Sequence, residues 1–169
     1  KAIYGNGVCL ATVNWTRLAA RMSGIEEFFC FALTLGEKID REIKRLEGDE
    51  MLEALVLDAA ASTLAEIYAD QAQMIIERSC REQGLSASAR FSPGYCDWPL
   101  ADGQRSLFPF LQPESIGVSL SDSCLMTPRK TITAVIIAAR QMPAKAPCFM
   151  CARECPHRRA PFENPGGQY

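Results

Sequence analysis

Residues 130–138 read KTITAVIIA, and this stretch is the clearest predicted strand because it is rich in β-branched side chains. Residues 26–35, EEFFCFALTL, form a compact run of aromatic and aliphatic residues between two glycines. This run predicts a buried strand, although its periodicity alone does not distinguish a strand from a helical segment. Shorter strands are predicted at residues 87–91 and 116–120.

Helical patterns occupy most of the first half of the chain. The longest covers residues 49–83 and is followed by Gly84, a good helix stop. Its length of about 35 residues leaves room for a kink. Shorter helices are predicted at residues 14–22, 37–47 and 105–111. The apolar residues of the longest pattern follow a 3.6-residue repeat: Leu52, Leu55, Val56, Ala59, Ala60, Thr63, Leu64, Ile67, Met74 and Ile75.

The order of these elements indicates the fold class. Helices come first and strands later, which favours an α+β fold with N-terminal helices packed on a twisted, mainly antiparallel sheet. The length of 169 residues suits one domain with a short appendage. We assign residues 1–140 to the domain. Residues 141–169 are rich in proline and cysteine, and we expect them to form a tail without regular structure.

Charge and hydropathy exclude several classes of partner. The net charge of −2 gives no basic footprint, so nucleic acid is not an expected partner. No apolar run approaches the roughly 20 residues that span a bilayer, so a membrane partner is not expected either. No charged segment followed by an apolar one opens the chain. We therefore expect a cytoplasmic protein.

Residues 90–99, RFSPGYCDWP, combine a charged side chain with a sharp turn. Pro93 and Gly94 bend the chain, and Gly94 lets the backbone approach a ligand without a Cβ in the way. Taken singly, Arg90 also fits an ordinary surface ion pair, and Tyr95 also fits an aromatic residue of the core or its rim. The pattern around them decides between these interpretations.

Three segments in order resemble the activation domain of cobalamin-dependent methionine synthase. Residues 90–99 match the R-x-x-P-G-Y element of that family, including the proline four residues after the tyrosine. Residues 116–133, IGVSLSDSCLMTPRKTIT, are similar to its stretch of glycine, a Ser-containing turn, methionine, proline and a Ser/Thr-rich strand. Residues 64–70, LAEIYAD, resemble its helical L-A-E-x-x-A-E element. The resemblance covers roughly residues 30–138 and makes a set more specific than any one motif.

The resemblance implies binding of S-adenosylmethionine and a role in returning an inactive corrinoid to its methylated state. The family uses a glutamate, an arginine, a turn backbone and a tyrosine for this ligand. By resemblance, Tyr95 takes the catalytic placing role, and the cofactor-binding residues are Glu66, Arg90, Ser92, Pro93, Gly94 and Tyr95. The chemistry agrees, because a ligand carboxylate suits an arginine and a cationic ligand suits a carboxylate or oriented carbonyls.

This sequence also departs from the family. The aromatic-rich segment that follows the last strand in the family is replaced here by residues 140–147 and a cysteine-rich tail. The corrinoid-binding motif D-x-H-x-x-G is absent, and His157 is the single histidine. We therefore expect a short, stand-alone relative that is inactive alone and meets cobalamin only through a partner. That partner would be a corrinoid-binding protein or a methionine synthase without its own activation domain, together with a reductant protein.

Three of the eight cysteines cluster in the tail as Cys148-x2-Cys151-x3-Cys155-Pro156. Three thiolates can hold a [4Fe-4S] cluster if a fourth ligand completes it, or zinc if His157 joins them, although that histidine is closer to Cys155 than zinc spacing usually allows. Free thiols are the remaining alternative. The other cysteines are scattered and fit small apolar residues. An alternative function is thus a metal-containing binding or electron-transfer module that kept the fold without methyl transfer.

Overall fold

In the computed structural model the chain forms an α+β domain built on antiparallel strands, as the sequence predicts. Three strands, β1 (Ile3–Gly5), β2 (Val8–Leu10) and β3 (Ser23–Thr34), precede the first helix, so the expected order of helices before strands is wrong. The structure describes residues 3–5, 8–10, 22–96, 98–142, 148, 151, 154–155 and 161–162.

The main sheet has three strands in the order β3, β7 (Thr131–Gln141) and β4 (Ser86–Ala87). β3 and β7 are antiparallel over almost their whole length, with Cys30 opposite Val135. Both long strands that the sequence predicts are therefore confirmed. The predicted strand at residues 87–91 is shorter, because only two of its neighbours pair regularly with β7 before the chain turns away.

Three helices connect and cover this sheet. Helix α1 is Glu37–Leu46, α2 is Met51–Glu82 and α3 is Leu100–Leu111. α2 runs for 32 residues as one helix, so the length that suggested a kink is accommodated without one. α3 begins five residues before the predicted start and retains Pro109 in its last turn. Within the described residues, no helix is long and apolar enough to cross a membrane.

Two predictions fall elsewhere. The strand expected at residues 116–120 is mostly a 3-10 turn, Pro113–Ile116, followed by the two-residue strand β5, Ser119–Leu120. Gly117 has φ +77° and ends that turn, which is why the segment cannot extend as one strand. β5 pairs only with β6, Met126–Thr127. The predicted helix at 14–22 lies, except for its last residue, outside the described residues.

The main core lies on one face of the sheet. Alternate residues of β7, Val135, Ile137 and Ala139, pack in one cluster with Trp98 and with Leu107 of α3. The intervening residues Ala134, Ile136 and Ala138 are equally buried and point to the opposite face, since side chains alternate along a strand. α2 packs against β3 and β7. The central strand is thus covered on both faces.

The long helix turns an unexpected side to the sheet. Its buried residues are small: Ala54, Ala61, Ala65, Ala69 and Cys80. Small side chains let the helix lie close to the strands. The larger residues of the 3.6-residue repeat, among them Leu52, Val56, Ile67 and Ile75, are exposed. The repeat therefore identifies the helix but not the side that packs.

Candidate functional site

The segment before the Pro-Gly turn is fixed to the central strand. The backbone N–H of Ser88 donates to the carbonyl of Ile137 at 2.8 Å, and the N–H of Ile137 donates to the Ser88 hydroxyl at 3.0 Å. Phe91 and Val135 exchange two backbone hydrogen bonds of 2.9 and 2.8 Å. Arg90, directly before Phe91, is therefore held at the edge of the sheet beside α2.

Arg90 forms ion pairs with two carboxylates of α2. Its Nη2 lies 2.6 Å from Oε2 of Glu66, and its Nη1 lies 2.5 Å from Oδ1 of Asp70. The Arg90 side chain is only 9% exposed, whereas those of Glu66 and Asp70 are 44% and 59% exposed. Gln73 completes the arrangement, because its Oε1 accepts from Nη1 and from the backbone N–H of Arg90, each at 3.3 Å.

The charge of Arg90 is stable in this setting. Burial disfavours the charged guanidinium, but hydrogen bonds to Asp70 and Glu66 outweigh it, so the pKa of Arg90 lies above its usual value. The two carboxylates are four residues apart and so occupy the same side of the helix on successive turns. We call Glu66, Asp70 and Arg90 the ion-pair triad. Its formal charge is one negative unit.

The turn after Arg90 closes on itself. Gly94 adopts φ +89° and donates its N–H to the carbonyl of Trp98 at 2.9 Å. The N–H of Tyr95 donates to the carbonyl of Ser92 at 3.2 Å. Pro93 is buried under the turn, while Tyr95 is 61% exposed and presents its ring to the surface. The predicted site residues 92–95 thus form one compact turn next to the triad residue Arg90.

Gly103 of α3 supports this turn, and sequence reasoning did not select it. A Cβ at Gly103 would lie 2.6 Å from Cβ of Pro93 and 3.0 Å from Cε2 of Trp98. Both distances are too short for real atoms, so only glycine allows the helix to lie this close to the turn. The signal in the sequence was a glycine inside a predicted helical region, where it otherwise costs stability.

A second cation lies farther along the same helix. Nζ of Lys130 is 2.8 Å from Oδ1 of Asp58 and 2.8 Å from the Ser62 hydroxyl, and its side chain is 9% exposed. The hydrogen bond from Lys130, followed by its charge and that of Arg129, holds the pKa of Asp58 below its usual value. Ser62 precedes Glu66 by one helical turn. The polar flank of α2 therefore anchors both ends of the segment between β4 and β7.

The tail cysteines are not brought together as a metal site in the part of the chain that the structure describes. Cys148 is half-buried, Cys151 is buried and Cys155 is exposed. The N–H of Cys151 donates to the carbonyl of Cys148 at 3.2 Å. Among the described residues, no group of three His, Cys, Asp or Glu side chains could hold a metal ion. His157, the fourth ligand considered for zinc, lies outside those residues.

Two scattered cysteines behave as small buried residues. Cys80 and Cys124 are buried, and Cys30 of β3 is half-buried. Burial raises the pKa of the Cys30 thiol to about 11, which keeps it protonated and unreactive at neutral pH. Cys96 lies in the Pro-Gly turn with φ 54°.

The architecture is that of a methionine synthase reactivation domain. A solved structure, "Crystal Structure of the MetH Reactivation Domain bound to AdoHcy", matches with a TM-score of 0.58 and 20% identity. The match covers 71% of this chain and 42% of that one, so this chain spans less than half the length of that domain. At this identity the likeness shows the fold.

The family follows from the sequence. The family model described as vitamin B12 dependent methionine synthase, activation domain, matches residues 16–151, and the chain belongs to this family. This confirms the resemblance drawn from residues 64–70, 90–99 and 116–133. No match to this chain is found among the curated proteins.

Proposed function

We propose that this chain binds S-adenosylmethionine and acts as an accessory protein in the reductive remethylation of a corrinoid carried by a partner. The partner is a B12-dependent methionine synthase or a related corrinoid methyltransferase. Family membership supports the corrinoid context. The solved relative was crystallised with S-adenosylhomocysteine, the form that S-adenosylmethionine takes after losing its methyl group.

The ion-pair triad is the observation that carries the proposal. S-adenosylmethionine brings a carboxylate, an ammonium and a sulfonium, which together give one net positive charge. The triad has one net negative charge, so ligand and site balance. Arg90 has five N–H donors, and the ligand carboxylate would bind to it. Glu66 and Asp70, both partly exposed, would face the ammonium and the sulfonium.

The Pro-Gly turn supplies the neighbouring surface. Gly94 has no side chain, so the backbone of residues 92–95 is accessible at close range to a ligand. The exposed ring of Tyr95 is available to lie against the adenine or the sulfonium. These residues act by holding the methyl group in one orientation rather than by exchanging protons, so their main contribution to rate is positioning.

The chemistry divides between the chain and its partners. A reductant protein gives one electron to the Co(II) corrinoid, and the resulting Co(I) displaces S-adenosylhomocysteine from the sulfonium methyl, leaving methyl–Co(III). Methyl transfer removes Co(I) as it forms, which draws the unfavourable reduction forward. This chain would bind and orient the methyl donor. The corrinoid would remain a substrate on the partner protein, since this sequence contains no D-x-H-x-x-G motif.

Calorimetric titration tests ligand binding directly. S-adenosylmethionine should bind, and Arg90→Ala should weaken binding by about 1.5–3 kcal/mol, as expected for loss of a charge-assisted hydrogen bond. Arg45→Ala is the matched control, because Arg45 also pairs with carboxylates but on exposed α1. S-adenosylhomocysteine, which lacks the sulfonium charge, should bind more weakly. No heat and no thermal shift at millimolar ligand would refute the proposal.

An activity assay tests the role. The chain alone should turn over nothing. Added to a Co(II) corrinoid protein with a low-potential reductant and S-adenosylmethionine, it should speed the appearance of the methyl–Co(III) spectrum. Glu66→Gln and Tyr95→Phe should slow this reaction while the circular dichroism stays that of the parent chain. If ligand binds but no corrinoid protein is remethylated faster, the binding site survives and the accessory role is wrong.

The metal-containing module remains the second candidate. Its support is the Cys148, Cys151, Cys155 spacing, and a cluster there would suit an electron donor. It has less support than ligand binding because no described set of side chains is placed to hold a metal. Metal analysis with ligand titration separates the two candidates, since a module that had lost methyl transfer would carry iron or zinc without binding S-adenosylmethionine.

A further inference from the structure

One side of α2 is apolar and open to solvent over most of its length. We call Val56, Ala60, Thr63, Ile67 and Met74 the outer face of α2; all five are exposed, and Val56 and Met74 are 61% and 58% exposed. On a helix of 3.6 residues per turn these positions fall within about 60° of one another. Larger apolar residues flank them: Leu52, Leu55, Leu64 and Ile75. Contiguous apolar surface of this kind marks an interaction site.

The centre of this face has no polar group that needs water. The hydroxyl of Thr63 donates to the carbonyl of Ala59 at 3.0 Å, which turns the polar atom back to its own helix. Thr63 therefore presents its methyl group outward. Ala60, one turn earlier, is small enough to let another helix approach closely. The opposite side of α2 already packs on β3 and β7, so only the outer face is available.

Charges at the two ends of the face are opposite in sign. Glu53 lies at the N-terminal end, and Arg78 and Arg81 lie at the C-terminal end, all three exposed. By helical geometry each is within about 40° of the direction of Ile67. Glu53 precedes Ile67 by 14 residues, and Arg81 follows it by 14. The face is therefore complementary to itself when reversed about Ile67.

We propose that the outer face of α2 is a homodimer interface in which α2 pairs antiparallel with α2 of a second copy. A two-fold axis at Ile67 would place Glu53 opposite Arg81 of the second copy. It would also place Ala60 opposite Met74 of that copy, so a small residue receives a large one. A two-fold interface uses the same patch on both subunits, which this symmetry of size and charge satisfies.

Two alternatives fit the same face less well. A parallel pair would set Glu53 against Glu53 and Arg81 against Arg81, which is unfavourable at both ends. A different protein would need its own complementary arrangement of charge, whereas a second copy provides it without further assumption. The interface is separate from the ligand-binding proposal, because Arg90→Ala should leave the dimer unchanged.

The mass of the full chain in solution is the first test. Sedimentation equilibrium should give twice the 18.6 kDa of one chain at micromolar concentration. Ile67→Glu buries two charges on the proposed axis and should give the single-chain mass, with unchanged far-ultraviolet circular dichroism. Lys38→Glu, on exposed α1, is the control and should stay dimeric. A parent chain that is monomeric at about 100 μM, or an Ile67→Glu variant that stays dimeric, overturns the proposal.

Charge reversal tests the antiparallel register without touching the apolar residues. Glu53→Arg and Arg81→Glu each set like charges against each other twice in the dimer, and each should weaken dimerisation about tenfold. Mixing the two single variants restores opposite charges at both contacts and should recover the mixed dimer. Failure of the mixture to associate better than either variant overturns the register. A chain that is monomeric but loses capture of a corrinoid protein on Ile67→Glu assigns the face to that partner instead.

Discussion

The guanidinium of Arg90 and the carboxylate of Glu66 approach to 2.6 Å although they are 24 residues apart, and the Arg90 side chain is 9% exposed. A buried cation is tolerated only when it is paired and hydrogen-bonded. Here the carboxylate partner stays partly open to solvent, so one end of the pair is fixed and the other is accessible. A ligand with both charges can join such a pair without leaving Arg90 unpaired.

Asp70→Asn should separate support of Arg90 from direct contact with the ligand. Asparagine keeps an acceptor for Nη1 of Arg90 but removes one negative charge from the triad. We expect S-adenosylmethionine to bind about three- to tenfold more weakly, because the net charge of the triad falls to zero. S-adenosylhomocysteine, which has no sulfonium, should lose less affinity. Calorimetry measures both ligands, and Asp102→Asn on exposed α3 is the control. An equal loss for the two ligands would contradict reading of the sulfonium by this charge.

Gly103→Ala should move α3 away from the Pro-Gly turn. The new Cβ would sit 2.6 Å from Pro93 and 3.0 Å from Trp98, and neither ring can swing aside freely. Overpacking of this kind costs about 1–3 kcal/mol, which exceeds the gain of up to about 1 kcal/mol from replacing a helical glycine. Urea unfolding should show the net loss, and ligand affinity should fall with it. Ser106→Ala in the same helix is the control. Unchanged stability would mean that the contact is relieved elsewhere.

The fold could be predicted to the extent that local pattern decides it. The β-branched run around Val135 and the aromatic run around Phe28 identify the two long strands, since both are buried by pairing with each other. The strand expected at residues 116–120 failed because Pro113 starts a 3-10 turn and Gly117 ends it, and those local effects outweigh the apolar content.

The side of α2 that packs was not predictable from its apolar repeat. The structure buries alanines, such as Ala61 and Ala65, and leaves Leu52 and Ile67 exposed. Hydrophobicity ranks the larger residues as core, but the distance between the helix and the sheet selects the small ones. That distance is a property of the tertiary structure, and no periodicity in the sequence encodes it.

The candidate site was predictable as a set of residues but not as a geometry. The motif around Arg90 and Gly94 and the helical element with Glu66 each identify their members. That Arg90 forms ion pairs with Glu66 and Asp70 depends on the pairing of Phe91 with Val135, which no motif states. Lys130 and Gly103 were missed for the same reason, since their roles exist only across elements distant in sequence.

Metal content tests the cysteine tail. If Cys148, Cys151 and Cys155 bind a metal, protein purified without oxygen should carry iron with sulfide, or zinc, and Cys151→Ser should lower that content. Cys124→Ser is the control, because Cys124 is buried beside the β5–β6 hairpin and belongs to no cluster. Elemental analysis with less than about a tenth of an equivalent of any transition metal, after expression with iron supplied, would favour free thiols.

Asp58→Asn should reveal a pH-dependent contribution to stability. The hydrogen bond from Lys130 lowers the pKa of Asp58 in the folded chain, so between the folded and unfolded pKa values the unfolded state binds more protons. The contribution is therefore fully present above about pH 4 and is lost as pH falls through the folded pKa. At pH 6 the variant should be about 1–2 kcal/mol less stable, since Lys130 is left with a weaker partner.

At pH 2.5 to 3 that difference should shrink, because Asp58 of the parent chain is becoming neutral as well. Urea unfolding at the two pH values measures it, with Asp102→Asn as the control. A difference that stays the same at both pH values would mean that Asp58 stabilises the chain by its shape and hydrogen bonding alone. A difference that shrinks assigns the stabilisation to its charge against Lys130, the residue at which β7 begins its course toward the ion-pair triad.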